Sequence, residues 1–141
     1  MREIEVRSAG VCVSEGRLLL VNHEKHERSY WVLPGGHVKP GERLDEALRR
    51  EFQEEVALDI SVGPLVLVHD FLTDTRHVVN HVFRVETESA ELNVTPQDAL
   101  KDARWVPLAE LDAIDLLPPI AEHIRRVLTH PEAGPVYLGN V

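Results

Sequence analysis

Glu51, Glu54 and Glu55 crowd into one short stretch of the chain. Around them, Leu44, Ala47, Leu48, Phe52 and Val56 recur at the i, i+3, i+4 spacing of an amphipathic helix, which predicts a helix over 43–57. At about 100° per residue, with Glu51 as origin, Glu54 falls at about −60° and Glu55 at about +40°. Leu44, Leu48, Phe52 and Ala47 fall at about +20°, +60°, +100° and −40°. The three carboxylates therefore share an arc that overlaps the core-facing side. Like charges at i, i+3 and i, i+4 lie ~5–6 Å apart and repel by roughly 3 kcal/mol per pair at an effective dielectric near 20, before screening. Acids near a helix C-terminus also oppose the macrodipole, by ~0.3–1 kcal/mol each. A divalent cation would relieve both penalties, because carboxylate oxygens are the ligands Mg²⁺, Mn²⁺ and Ca²⁺ favour. The plainer alternative is a solvated acidic face in which Arg50 pairs with Glu46 and Glu54 at i, i+4.

The elements that must position these acids can be read on either side. Tyr30–Leu33 is a short apolar strand stopped by Pro34-Gly35-Gly36, and glycines let backbone approach a ligand closely, with a carbonyl as an oxygen donor. Lys39-Pro40-Gly41 is a further turn before the helix. Upstream, Val11, Val13 and Leu18–Val21 read as strands around Ser14-Glu15-Gly16, and Asn22–Ser29 as a polar loop. Downstream, strands are expected over 60–62, 65–71 (kinked at Gly63-Pro64), 78–85 and 103–106. A short helix is expected over 108–113, and a last helix opening at Pro118-Pro119 and running to about Leu128. Residues 1–129 read as one domain and 130–141, with two prolines and two glycines, as an irregular tail. Strands and helices mixed in one core indicate a layered α-and-β domain.

Composition narrows the function. The 141 residues are 43% hydrophobic and 28% charged, near globular averages, so the chain can build a core without staples. Its single cysteine, Cys12, excludes an intrachain disulfide and any multi-cysteine metal site, and between Val11 and Val13 it reads as a buried strand residue. A net charge of −9 argues against gripping a nucleic-acid polymer, whose affinity comes from Lys and Arg. Small phosphorylated ligands remain open if a cation bridges anion to anion. No segment approaches the ~20 apolar residues of a membrane span, and the N-terminus has no apolar signal core, so a cytoplasmic location is expected. The eight histidines do not make a zinc site: His23-Glu24-Lys25-His26 is one residue short of the H-E-x-x-H spacing.

The spacing Gly36, five residues, Glu42, seven residues, then Arg50-Glu51-Phe52-Gln53-Glu54-Glu55-Val56-Ala57-Leu58 resembles the signature of the Nudix hydrolases, G-x5-E-x7-R-E-U-x-E-E-x-G-U. Only the second Gly departs, replaced by Ala57. A left-handed cap there costs Ala about 1 kcal/mol or more, and the position carries no ligand. The flanks Tyr30–Gly36 and Ala103–Leu108 are also similar to the family.

The resemblance implies an α+β fold, an α/β/α sandwich with a mixed β-sheet. It implies Mg²⁺- or Mn²⁺-assisted hydrolysis of the pyrophosphate linkage of a nucleoside diphosphate derivative. Gly36, Glu51, Glu54 and Glu55 would be the metal residues. Glu51 and Glu54 would act catalytically with Arg50, which orients a glutamate, while Glu42 would be an outer or additional metal group. The general base stays open in this family: Glu86, Glu88, Glu91, Asp98 and Asp102 are further candidates, with the segment around Asp98 favoured. Substrate contacts are expected from Arg28, Tyr30, Phe71, Arg76 and Asp98, each with a plain structural alternative as core, loop anchor or surface ion pair. A homodimer is open. A non-catalytic nucleotide-sensing domain is the competing reading, though it has no need of three crowded glutamates. Isomerase chemistry on an isoprenyl diphosphate would need a reactive cysteine, for which Cys12 is poorly placed.

Overall fold

A computed structural model of the chain describes residues 3–97 and 99–141. Its elements follow the hydrophobic alternation of the sequence. Strands β1 (Glu5–Ser14), β2 (Arg17–Lys25), β3 (Arg28–Val32) and β4 (Gly35–His37) precede helix α1 (Leu44–Val56). Then come β5 (Ile60–Leu72), β6 (His77–Thr87), β7 (Leu100–Pro107), a 3₁₀ helix (Leu108–Ala113), α2 (Ala121–Thr129) and β8 (Val136–Asn140). The strands order as β3-β2-β1-β6-β5-β8, with β4 pairing to β1 and β7 to β2. The pairs β1/β6 and β5/β8 are parallel and the rest antiparallel, so the sheet is mixed.

Side chains alternate across the pleat and build a core on each face. Cys12, Leu19, Val21 and Val85 pack with Leu48, Phe52 and Val56 of α1. Val11, Leu18, Leu20, Leu67 and Val82 pack on the other face with Leu111 of the 3₁₀ helix and with Ile120 and Ile124 at α2. The result is the expected α/β/α sandwich. Burial raises the Cys12 thiol to about 11, which removes it as a nucleophile.

Several boundaries differ from the sequence reading. Asn22–Ser29 is not a loop: β2 and β3 form a hairpin with Lys25 opposite Arg28, turning through His26 and Glu27, both at positive φ. The turn takes the geometry that Asn or Gly normally supplies, and the exposed strand ends are charged, so the segment reads as loop from composition. The tail is not irregular over its whole length, because β8 adds a parallel strand beside β5, with Leu67 opposite Val136. β5 runs unbroken through Gly63-Pro64, where the register against β6 shifts instead of the strand ending. The last helix opens at Ala121, beyond the two prolines.

Helix α1 ends where expected. Ala57 adopts the left-handed conformation (φ 57°, ψ 38°), and its N–H reaches the Gln53 carbonyl at 3.2 Å. No helix among the described residues is long and apolar enough to cross a membrane.

Candidate active site

Strand β4 lies on β1 with Gly36 opposite Ser8 and Gly35 opposite Ala9, so the glycines are clamped between β1 and α1. A β-carbon on Gly35 would lie 2.7 Å from Ala9 Cα. One on Gly36 would lie 2.5 and 2.7 Å from the two carboxylate oxygens of Glu51. Only a glycine backbone leaves room for that carboxylate.

The other two acids differ in burial. Glu55 is buried, 8% exposed, and its Oε1 accepts the Gly35 N–H at 2.9 Å. Burial pushes its carboxyl up to about 8; the Gly35 N–H opposes the rise and the Glu51 charge adds to it. Glu54 stands exposed.

Arg50 ties the acids together. Its Nε and Nη2 donate to the two oxygens of Glu42 at 2.8 and 3.0 Å, a bidentate pair. Nη1 donates to Glu51 at 2.9 Å and to Glu54 at 3.4 Å, and Nη2 also donates to the His37 carbonyl at 3.1 Å. The Arg50 hydrogen bonds hold Glu42 down at about 2, with a further contribution from the Lys39 N–H. Arg50 thus uses oxygens of Glu51 and Glu54. Among the described residues no three His, Cys, Asp or Glu side chains converge as a ready-made metal cage.

The donor set nonetheless fits a hard divalent cation. It comprises carboxylates on one helix face, a glycine backbone pressed against one of them, and a buried carboxyl that ionises readily only beside a positive charge. Ser8, paired in register with Gly36, adds a buried Oγ with no hydrogen-bond partner among the described residues.

A cleft of about 430 Å³ opens on the sheet face away from α1, lined mainly by apolar groups including Tyr30, Phe71 and Ile120. Arg7 reaches it from β1 and also feels the charges of Glu55 and Glu51, so the cleft and the acidic helix adjoin. Of the expected substrate contacts, Tyr30, Phe71 and Arg76 line this cleft. Arg76 is held by Glu5, to which Nε and Nη2 donate at 2.6 and 2.9 Å. Arg28 does not line it: it pairs with Asp115 at 3.1 Å and stacks over the Tyr30 ring at 5.7 Å. Asp98 lies outside the described residues. Asp102, on β7, is taken by Arg104 and the Ala103 N–H.

His69, a strand histidine that the sequence offers as a structural or substrate-contacting residue, lines the cleft too, and sequence reasoning missed its neighbours Arg7 and Asn80. The signal was parity. Arg7 shares alternation with Ala9 and Val11, Asn80 with Val78 and Val82, and His69 with Leu67 and Phe71. Each is a polar residue at an apolar-parity position.

Comparison with known proteins agrees with this geometry. The model of the NUDIX domain matches residues 4–130. The nucleoside triphosphatase NudI of Salmonella newport is 30% identical over 95 residues, 61% of this chain and 67% of that protein. A NUDIX hydrolase from Nitrosomonas europaea superposes with TM-score 0.80 at 19% identity, covering 95% of this chain and 94% of that one. The MutT NUDIX hydrolase from Burkholderia pseudomallei gives 0.75 at 26% identity, covering 89% and 99%. The chain belongs to the Nudix family. Within it, the protein is a pyrophosphohydrolase, a hydrolase of phosphorus acid anhydrides.

Proposed function

We propose that the protein hydrolyses the pyrophosphate linkage of a nucleoside diphosphate derivative, by water attack at phosphorus, with Mg²⁺ or Mn²⁺ as cofactor. The observation that carries this reading is the Gly36 backbone pressed against Glu51 beside the buried Glu55 carboxyl. Glu51, Glu55 and the Gly36 carbonyl would hold the ion, with Glu54 at the open side of the group. When bound, such an ion neutralises phosphate charge and acidifies water.

The chain's own residues do the rest. Glu54, exposed and 3.4 Å from Arg50, would accept a proton from the attacking water. Arg50 orients Glu51 and is itself anchored by the fork to Glu42. Glu51 would be held in one rotamer between that bond and the Gly36 backbone. The apolar cleft next to the acids offers room for the nucleoside.

The test is a panel of nucleoside di- and triphosphates and their sugar and dinucleotide derivatives, assayed for phosphate or nucleotide release with Mg²⁺, with Mn²⁺ and with chelator. Release from at least one member, only with the ion, is expected. No release across the panel would favour a sensing domain instead.

A further inference from the structure

The cleft carries a polar row set by strand register. Arg7 on β1 lies opposite Asn80 on β6, and Asn80 lies opposite His69 on β5. Cross-strand partners point to the same face of a sheet, so the three side chains stand side by side over three adjacent strands. All three line the cleft. The neighbouring row on one side is apolar, Ala9 with Val82 and Leu67; on the other, Glu5, paired with Arg76, stands in line with the apolar Val78 and Phe71.

Two atoms of this row are sealed from solvent without a hydrogen-bond partner among the described residues, Arg7 Nε and His69 Nδ1. An unpaired buried donor or acceptor costs about 1–3 kcal/mol, and a charged one more. The cost is recovered when a ligand supplies the partner. Burial lowers the pKa of both groups, although the Asp70 backbone lies close enough to His69 to oppose part of its shift.

Glu55 and Glu51 offset only part of the burial cost of the Arg7 charge. Its sealed Nε lacks an acceptor among the described residues. The walls flanking the row, with Tyr30 and Phe71 among them, suit a flat apolar body. A guanidinium presents parallel N–H donors that match two adjacent acceptors on one heterocycle edge, as O6 and N7 of guanine. Adenine turns an amino group toward the same donors.

We infer that the Arg7–Asn80–His69 row is the base-reading subsite of this cleft, and that it selects a 6-oxopurine nucleotide over adenine and pyrimidine nucleotides. This assignment rests on the proposed nucleotide hydrolysis for its biological setting, but it is tested by binding alone.

Calorimetry in chelator, on the full chain, would compare GDP, ADP, UDP and inorganic pyrophosphate. The expected result is GDP tighter than ADP and UDP by about tenfold or more. Arg7→Met should bring GDP to within about twofold of ADP while leaving ADP and pyrophosphate binding in place. Asn80→Ala should narrow the same gap, and it keeps the test available if Arg7→Met does not fold, as judged by its melting curve. Equal binding of the three nucleotides by the wild-type chain would overturn the inference. So would an Arg7→Met loss that is uniform across nucleotides and pyrophosphate, the mark of a phosphate contact. Preferential GDP binding by a chain that hydrolyses no nucleotide would sink the proposed function and leave this subsite standing. Hydrolysis with equal GDP, ADP and UDP affinities would do the reverse.

Discussion

The Glu51 carboxylate fills the space that a β-carbon on Gly36 would need, its oxygens 2.5 and 2.7 Å from that position. Gly36 is neither at positive φ nor in a turn, so the requirement is for room alone. Gly36→Ala is expected to push Glu51 out of place and lower turnover by about 10²-fold or more, as a 1 Å misplacement can. Overpacking should cost about 1–3 kcal/mol in urea unfolding. Adding Glu51→Ala should recover stability and no activity. Simple additivity of the two stability changes would show that the clash is not what matters.

Arg50 binds Glu42 through two parallel N–H donors and still reaches Glu51. Lysine keeps the charge but cannot make the fork. Arg50→Lys should therefore reduce kcat by about tenfold or more, the usual scale for residues that orient a ligand set. Its melting temperature should fall only modestly. Wild-type kcat in this variant would assign Arg50 to charge balance alone.

Glu55 links ionisation to stability. In the folded chain its carboxyl is raised by burial from 4.5 to about 8, so folding takes up a proton between those values. Its favourable effect on ion-free stability is full below about 4.5, falls as pH rises through the window and is gone above about 8. In chelator, Glu55→Gln should be as stable as wild type at pH 5 and more stable at pH 8; with the ion supplied, its turnover should be down by orders of magnitude. Parallel stability profiles for the two proteins would contradict the assignment.

Glu5 carries the opposite sign. The Arg76 hydrogen bonds, with His37 beside them, hold it down at about 2 despite partial desolvation. Its contribution is present above 4.5 and is lost as pH falls toward 2. Glu5→Gln should lose stability at neutral pH and show a shallower acid limb in a urea series. An unchanged acid limb would mean the cluster is not held in solution.

Much of the site was legible because it is local. A helix face is set by residues three and four apart, so the three acids could be placed on an arc overlapping the core-facing side, while the burial of Glu55 and exposure of Glu54 came only with the packing of α1. Ala57 takes the left-handed conformation that the Gly of the family signature implies at that position. What stayed hidden was made by distant pairing. β8 exists because Leu67 and Val136 meet, nearly seventy residues apart, and nothing within the tail announces a parallel partner. Arg7, Asn80 and His69 are ordinary polar residues in three separate strands until register lines them up. The β2–β3 turn escaped because His26 and Glu27 take positive φ without glycine or asparagine.

At the centre of the account is a divalent ion held by the acids of α1. Binding of Mn²⁺, followed by the loss of its free-ion paramagnetic resonance signal, tests this most directly in wild-type, Glu51→Gln and Glu55→Gln proteins. Saturable binding by the wild-type chain is expected, with at least about tenfold weaker binding by each variant. Binding of equal strength in all three would contradict it.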